Sequence, residues 1–268
     1  MIEQEQVGFS DQVGCSVTRG ATGRTTNFET SEHQLQEACV IQWAKAENKD
    51  AFLSHPAAAK FRSIISETPV INGTTLLCYR GCYRRSDMLP RPLPHHFGPP
   101  PPERTEAGRY NNTGEPVLYL CTAAYGVAYE KQEDSKPIKD LFCQEYILDI
   151  SSLRLADFAH PNLDNFIQIV FEYAEYGMRG GNIDKSDYIF SQIVGAIVKQ
   201  CGFSGMSVPG VRGTRAHRYQ NIVIFNPEVI WEQSVNKDVE PVCIDSILAR
   251  QGPNERLESD TQPRGYNM

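Results

Sequence analysis

No apolar run in this 268-residue chain approaches the ~18 residues that a membrane-spanning helix requires. Excess positive charge is missing as well. With 26 Lys and Arg against 33 Asp and Glu, the formal net charge is -7, which leaves no basic footprint for nucleic acid over the whole surface. Only local clusters remain: YRGCYRR with Arg80, Arg84 and Arg85, and the RG-rich stretch around Arg212. The opening MIEQEQVGFSDQ is acidic and polar, unlike a secretory signal. These absences point to a cytoplasmic protein with no membrane contact and no direct hold on nucleic acid. Several enzyme signatures are absent too. There is no GxGxxG, Walker motif, GxSxG or HExxH, so dehydrogenase, nucleotidase, hydrolase-fold esterase and zinc-peptidase readings lose their simplest support.

A disulfide framework is not expected either. The eight cysteines, at 15, 39, 78, 82, 121, 143, 201 and 243, are even in number, but a chain of this length without an export signal keeps its thiols reduced. Cys78 and Cys82 have metal-like spacing, yet no second pair or histidine cluster completes four ligands. His95 and His96 lie in a proline-rich loop and are expected to face solvent. No metal is expected. The sequons at Asn72 and Asn111 carry little weight in a chain that is not exported.

What is present is the composition of a globular protein with a sizeable core, 40% hydrophobic and 22% charged. Residues 1–30 read as a flexible leader and 31–72 as a helical extension. In the latter, Ser31 and Gln34 form a capping-box pattern ahead of Leu35, Cys39, Val40 and Trp43. A second helix is expected to begin near Ser54, with Pro56 in its first turn. Residues 74–235 carry the elements of the main domain. Strands are expected at 74–83, 116–121, 145–151, GMSVP and NIVIFNP, with helices from Thr122 to Glu130 and over 162–176 and 187–200. The proline-dense run 90–102 is excluded from helix and central strand. Residues 236–268 read as a polar tail. Strands and helices do not alternate strictly, so the class is α+β rather than a doubly wound sheet.

Within RYNNTGEPVLYLCTAAYGVAYE, Tyr119 follows Arg109 by ten residues and Glu130 follows Tyr119 by eleven. Arg80, next to Gly81, and Arg109, after Gly108, each sit where a glycine leaves room for a phosphate to approach a guanidinium. Surface salt bridges would explain two such arginines equally well. Glu130 falls in the last turn of its helix, where the helix dipole disfavours a carboxylate, so helix stability does not account for it. A carboxylate facing a cleft stabilises a cationic, oxocarbenium-like sugar. Tyr119 can stack on a ring or donate a hydrogen bond, or simply fill a core. Gln192 shares a helical stripe with Tyr188, Gly195 and Lys199, at the rim of an apolar face. Asn221 opens the strand NIVIFNP and is placed to order the preceding loop.

The blocks YRG at 79–81, RYNNTGEPVLYL at 109–120, GVAYE at 126–130 and YIFSQIVGAIVKQCGFSGMSVPGVRG at 188–213, followed by NIVIFNP, resemble the RES domain family over residues 74–228. The resemblance implies an ADP-ribosyltransferase-like fold with a split β-sheet around an NAD cleft. It implies a toxin of a toxin–antitoxin pair that degrades NAD by hydrolysis or phosphorolysis, the latter with inorganic phosphate as co-substrate. The implied partner is an antitoxin protein that blocks the cleft, and homo-oligomerisation is left open. Transfer of ADP-ribose to a protein and a non-catalytic NAD-binding module are the alternatives. By position, Arg80 and Arg109, with the neighbouring Tyr110 and Asn111, would grip NAD. Tyr119 would lie beside the nicotinamide or its ribose, Glu130 would stabilise the ribosyl cation, and Gln192 and Asn221 would line the site. One departure stands out: Gly210 occupies the position where the family usually carries a serine. Ser207, three residues earlier, points away by strand alternation. Gly210 would instead admit a phosphate to the backbone, with Arg212 beside it.

Overall fold

The computed structural model describes residues 31–88, 90–131, 137–176, 188–212, 218–234 and 239–251. Three helices open it: α1 (Glu32–Ala44), α2 (Lys49–Ser54) and α3 (Pro56–Ile65). In α1 the buried residues are Val40 and Trp43, whereas Leu35 is exposed. The second expected helix is α3; α2 precedes it and was not expected. His55 separates them with extended backbone, the conformation that a following proline imposes, and its Nδ1 accepts a 3.0 Å hydrogen bond from the Ala57 N–H. The helix therefore starts at Pro56, just past Ser54. Trp43 ties the three together. It is fully buried, donates its indole N–H to the Phe52 carbonyl at 2.9 Å, and packs against Phe61 and edge-on to Phe190.

The rest of the chain is β1 (Thr75–Tyr83), β2 (Val117–Cys121), α4 (Ala124–Lys131), β3 (Leu141–Asp149), β4 (Leu155–Asp157), α5 (Asn165–Tyr176), α6 (Ile189–Gln200), β5 (Gly205–Pro209), β6 (Gln220–Phe225), α7 (Glu228–Gln233), β7 (Val242–Cys243) and α8 (Ile244–Gln251). The strands form one seven-stranded mixed sheet in the order β4-β5-β6-β2-β1-β3-β7, confirming the α+β class. Only β4 and β5 run parallel. β1 pairs with β3 from Thr75–Asp149 to Tyr83–Leu141, and β2 pairs with β6 from Val117–Phe225 to Cys121–Asn221. Between β1 and β2 the register holds a single pair, Tyr79 with Cys121. The sheet is thus two well-paired halves joined by one rung, the split that the family resemblance implies.

Side-chain alternation sorts the core onto the two faces. Leu118, Leu120, Ile222 and Ile224 pack with Cys78, Tyr146 and Phe97 on one face. Val117, Val223 and Phe225 meet Phe171, Val194, Phe61 and Trp43 on the other. Phe97 is the anchor of the proline-rich loop. It is fully buried, and the following Gly98 lies so close to the Trp231 indole that a Cβ there would sit 3.1 Å from Cε2. The loop is therefore seated on the sheet.

β3 begins at Leu141, earlier than expected, because Phe142, Cys143 and Gln144 continue its pairing with β1. β4 and β7, three and two residues long, carry too little periodicity to be read from sequence. β7 and α8 fall within the stretch that is polar by composition. β7 nonetheless pairs with Phe142 and Cys143, and Ile244 is fully buried. The leader 1–30 and residues 252–268 lie outside the described residues.

The seven described cysteines are free thiols. Burial pushes Cys78 and Cys143 up to about 12, and pushes Cys121 well above its ordinary range. Thiolate is the reactive form. Brief iodoacetamide treatment of native protein at about pH 8 should spare Cys78, Cys121 and Cys143, whereas all three alkylate after unfolding. Peptide mass spectrometry reads the result, and native-state alkylation of these three would show that the sheet opens locally.

Candidate active site

The site starts where β2 hands over to α4. Thr122 was expected to cap the helix; instead it continues the pairing of β2 with β6. Its N–H donates to the Gln220 carbonyl and its hydroxyl accepts from the Gln220 N–H, both at 2.9 Å. That ties the start of α4 to the start of β6. Glu130, in the last turn of α4, is consequently held by residues from the β6 side. Oε1 accepts hydrogen bonds from the Tyr219 hydroxyl and from Asn221 Nδ2, each at 2.7 Å. Oε2 lies 3.8 Å from Arg109 Nη2, with side-chain exposures of 14% for Arg109 and 19% for Glu130. At that burial the charges are far less screened than in a surface ion pair. The unfavourable helix-dipole position of Glu130 is offset by these partners.

Arg109 stands in a loop clamped from several sides. Asn111 Nδ2 donates to the carbonyls of Glu106, Asn112 and Glu115, closing the turn from within. The Tyr119 hydroxyl donates to Asn111 Oδ1 at 3.0 Å and accepts from the Tyr110 N–H at 2.9 Å. Gln192 Nε2 donates to the Gly108 carbonyl at 3.0 Å. Two glycines permit this closeness. A Cβ on Gly108 would fall 2.5 Å from Asn111 Oδ1 and 3.1 Å from the Tyr119 oxygen, and one on Gly195 of α6 would fall 2.8 Å from the Tyr110 carbonyl. Burial alone would lower the Arg109 pKa, but Tyr110, Glu130 and Glu175 outweigh it and hold the guanidinium above its ordinary value. Its positive charge is permanent.

The fold therefore gathers Arg109, Asn111, Tyr119, Glu130, Gln192 and Asn221 into one group, joined by hydrogen bonds on either side and by the Arg109–Glu130 ion pair between them. Tyr110 belongs to it through its backbone; its side chain is buried, with the ring 6.4 Å from that of Phe171. The Tyr119 hydroxyl and the Asn111 amide are both engaged in building the Arg109 loop. Arg212 reaches the group from outside, donating from Nη1 to the Glu130 carbonyl at 3.3 Å. Ser207 is fully buried and bonds to Gln220 Oε1.

Arg80 is placed differently. Alternation along β1 sets it with Cys78 and Cys82, on the face opposite Gly81, against which Val127 of α4 packs. Burial lowers its pKa, beside Tyr146 and Cys82, and its Nη1 is buried without a hydrogen-bond partner. Such an orphaned donor is costly unless something else satisfies it.

Gly210 is close-packed rather than open: its space is taken by the ring of Tyr219. Tyr219 is the residue that sequence reasoning missed. The one available signal was its spacing of two from Asn221, which puts both on one face of the strand. A recess of about 270 Å³, lined by Asn48, Lys49, Asn112, Ile189, Gln192, Ile193 and Ala196, adjoins the loop on its outer side. Among the described residues, no group of three or more His, Cys, Asp or Glu is arranged to hold a metal ion. No described helix is long and apolar enough to cross a membrane.

Residues 78–244 match the RES domain. None of the curated proteins matches the chain. Among solved structures, the M. tuberculosis MbcT–MbcA toxin–antitoxin complex is similar at 19% identity with a TM-score of 0.41, over 63% of this chain and 84% of that one.

Proposed function

The chain belongs to the RES domain family, and we propose that it is an NAD-consuming enzyme of the toxin type that cleaves the bond between nicotinamide and ribose. The observation that carries this reading is the partly buried Glu130 carboxylate, fixed through Oε1 and facing Arg109 with Oε2. Cleavage sends the bonding electron pair onto the pyridinium nitrogen, so nicotinamide leaves neutral and the positive charge moves to the ribose ring. A preorganised carboxylate beside that ring stabilises the charge as it develops. Arg109 would hold the diphosphate. At 3.8 Å its contact with Glu130 is loose, which leaves guanidinium donors for phosphate oxygens. Arg80, buried on the face of β1 opposite Gly81 and α4, would not share in that hold. Tyr119, Gln192 and Asn221 would keep loop and carboxylate in register around the substrate.

Capture of the cation by water completes hydrolysis, and capture by inorganic phosphate completes phosphorolysis. The proposed partner is an antitoxin protein that covers the cleft. The test is nicotinamide release from NAD by purified protein, with and without added phosphate. Release supports the reading, and its dependence on phosphate decides the nucleophile. No release under either condition would overturn it. Label from NAD appearing on a second protein would then point to ADP-ribosyl transfer.

A further inference from the structure

Tyr219 immediately precedes β6, and its side chain points to the same side as that of Asn221. Its ring lies in a slot that two glycines leave open. A Cβ on Gly126 of α4 would be 2.6 Å from Cδ2 and 2.7 Å from Cγ. A Cβ on Gly210 would be 2.6 Å from Cδ2, with Cε2 and Cζ closer still. The Gly210 N–H donates to the Tyr219 carbonyl at 2.9 Å, so the pairing of β5 with β6 runs one residue past Pro209 and holds the slot in register. Tyr129 stands parallel to the ring at 6.3 Å between centroids, and Tyr125 stands edge-on at 6.2 Å. The ring is held on all these sides, and the phenol oxygen lands 2.7 Å from Glu130 Oε1.

Burial first, then the charge of Glu130, push the Tyr219 phenol far above its ordinary value, so it stays a neutral O–H donor. The second donor to Oε1 is oriented as well. The Cys121 thiol donates to Asn221 Oδ1 at 3.3 Å, which turns Asn221 Nδ2 toward the carboxylate. Two donors thus converge on one oxygen, and neither is free to rotate away.

We infer that Tyr219 is a positioning residue: with Asn221 it ties down Oε1 of Glu130 and so presents Oε2, the oxygen beside Arg109, to the ribosyl cation. This rests on the NAD-cleavage reading. It also accounts for Gly210, since any side chain there would claim the space of the ring that delivers the hydroxyl.

The test pairs kinetics with a readout that does not depend on turnover. Tyr219→Phe keeps the ring in its slot and removes the O–H. Its kcat for nicotinamide release should fall about 10- to 100-fold, the size of one hydrogen bond to a charged group, with KM within about twofold. Unfolding midpoints are measured in parallel for wild type, Tyr219→Phe, Glu130→Met and the double variant. If the hydroxyl is held by the carboxylate, Tyr219→Phe shifts the midpoint in wild type but not in the Glu130→Met background. An unchanged kcat, or additive midpoint shifts, would overturn the assignment. If wild type releases no nicotinamide, the functional reading fails, and the unfolding cycle still decides whether Tyr219 holds Glu130.

Discussion

Glu130→Gln should lower nicotinamide release by about 100- to 1,000-fold, the range seen when one preorganised electrostatic stabiliser is removed from an active site. The amide matches the carboxylate in shape and retains an oxygen that can accept from Tyr219 and Asn221. What it lacks is the charge. Because the ribosyl cation develops only on the way to the transition state, the loss falls on kcat, and NAD affinity stays largely intact. Stability should also change little. Arg109 loses a partner at 3.8 Å but keeps its surroundings of Tyr110 and Glu175. Rates, NAD titration by calorimetry and a melting curve on the same preparation check the three statements. Full turnover by a properly folded variant would remove Glu130 from the chemistry.

Trp43→Ala should cost about 3–5 kcal/mol of stability, as expected when a fully buried aromatic side chain is truncated. Urea denaturation measures it directly. Trp43 lies outside the matched span, in the helical extension, yet its ring touches Phe61 of α3 and Phe190 of α6 and shares a core with Phe171, Val194 and Val223. The consequence reaches the site. α6 carries Gln192, which holds the Gly108 carbonyl, and Gly195, which seats Tyr110. Loosening the packing behind α6 therefore loosens the loop that presents Arg109. A Trp43→Ala variant with unchanged unfolding would show that the extension is an independent appendage.

Several features of the fold were legible because they are local. The strand at 75–83 is a β-prone run, and GMSVP and NIVIFNP are bounded by turn residues, so each appears close to its expected limits. The start of α3 was also written locally, in Pro56, which holds His55 extended and sets the helix just past Ser54. β4 and β7 were not legible. Strands of three and two residues exist only because a neighbouring strand offers hydrogen bonds, and that neighbour is remote in sequence. Thr122 shows the same limit: a helix cap by local rules, it bonds to Gln220 at the start of β6 once the two lie side by side.

By itself the sequence determined the α+β class, the identities of Arg109, Tyr119 and Glu130 as chemically capable groups, and their order on a loop, a strand and a helix. Period, turn chemistry and helix polarity act over a few residues, so they can be read in one dimension. Only the tertiary structure decided what those groups do to one another. The donors to Glu130 come from 89 and 91 residues away, through a slot that exists because two glycines far apart in the chain meet one ring. It also decided that the Tyr119 hydroxyl builds the Arg109 loop and that Arg80 alternates onto the other face of β1. Hydrogen bonds and close packing are satisfied in space, and chain separation sets no limit on which partners meet.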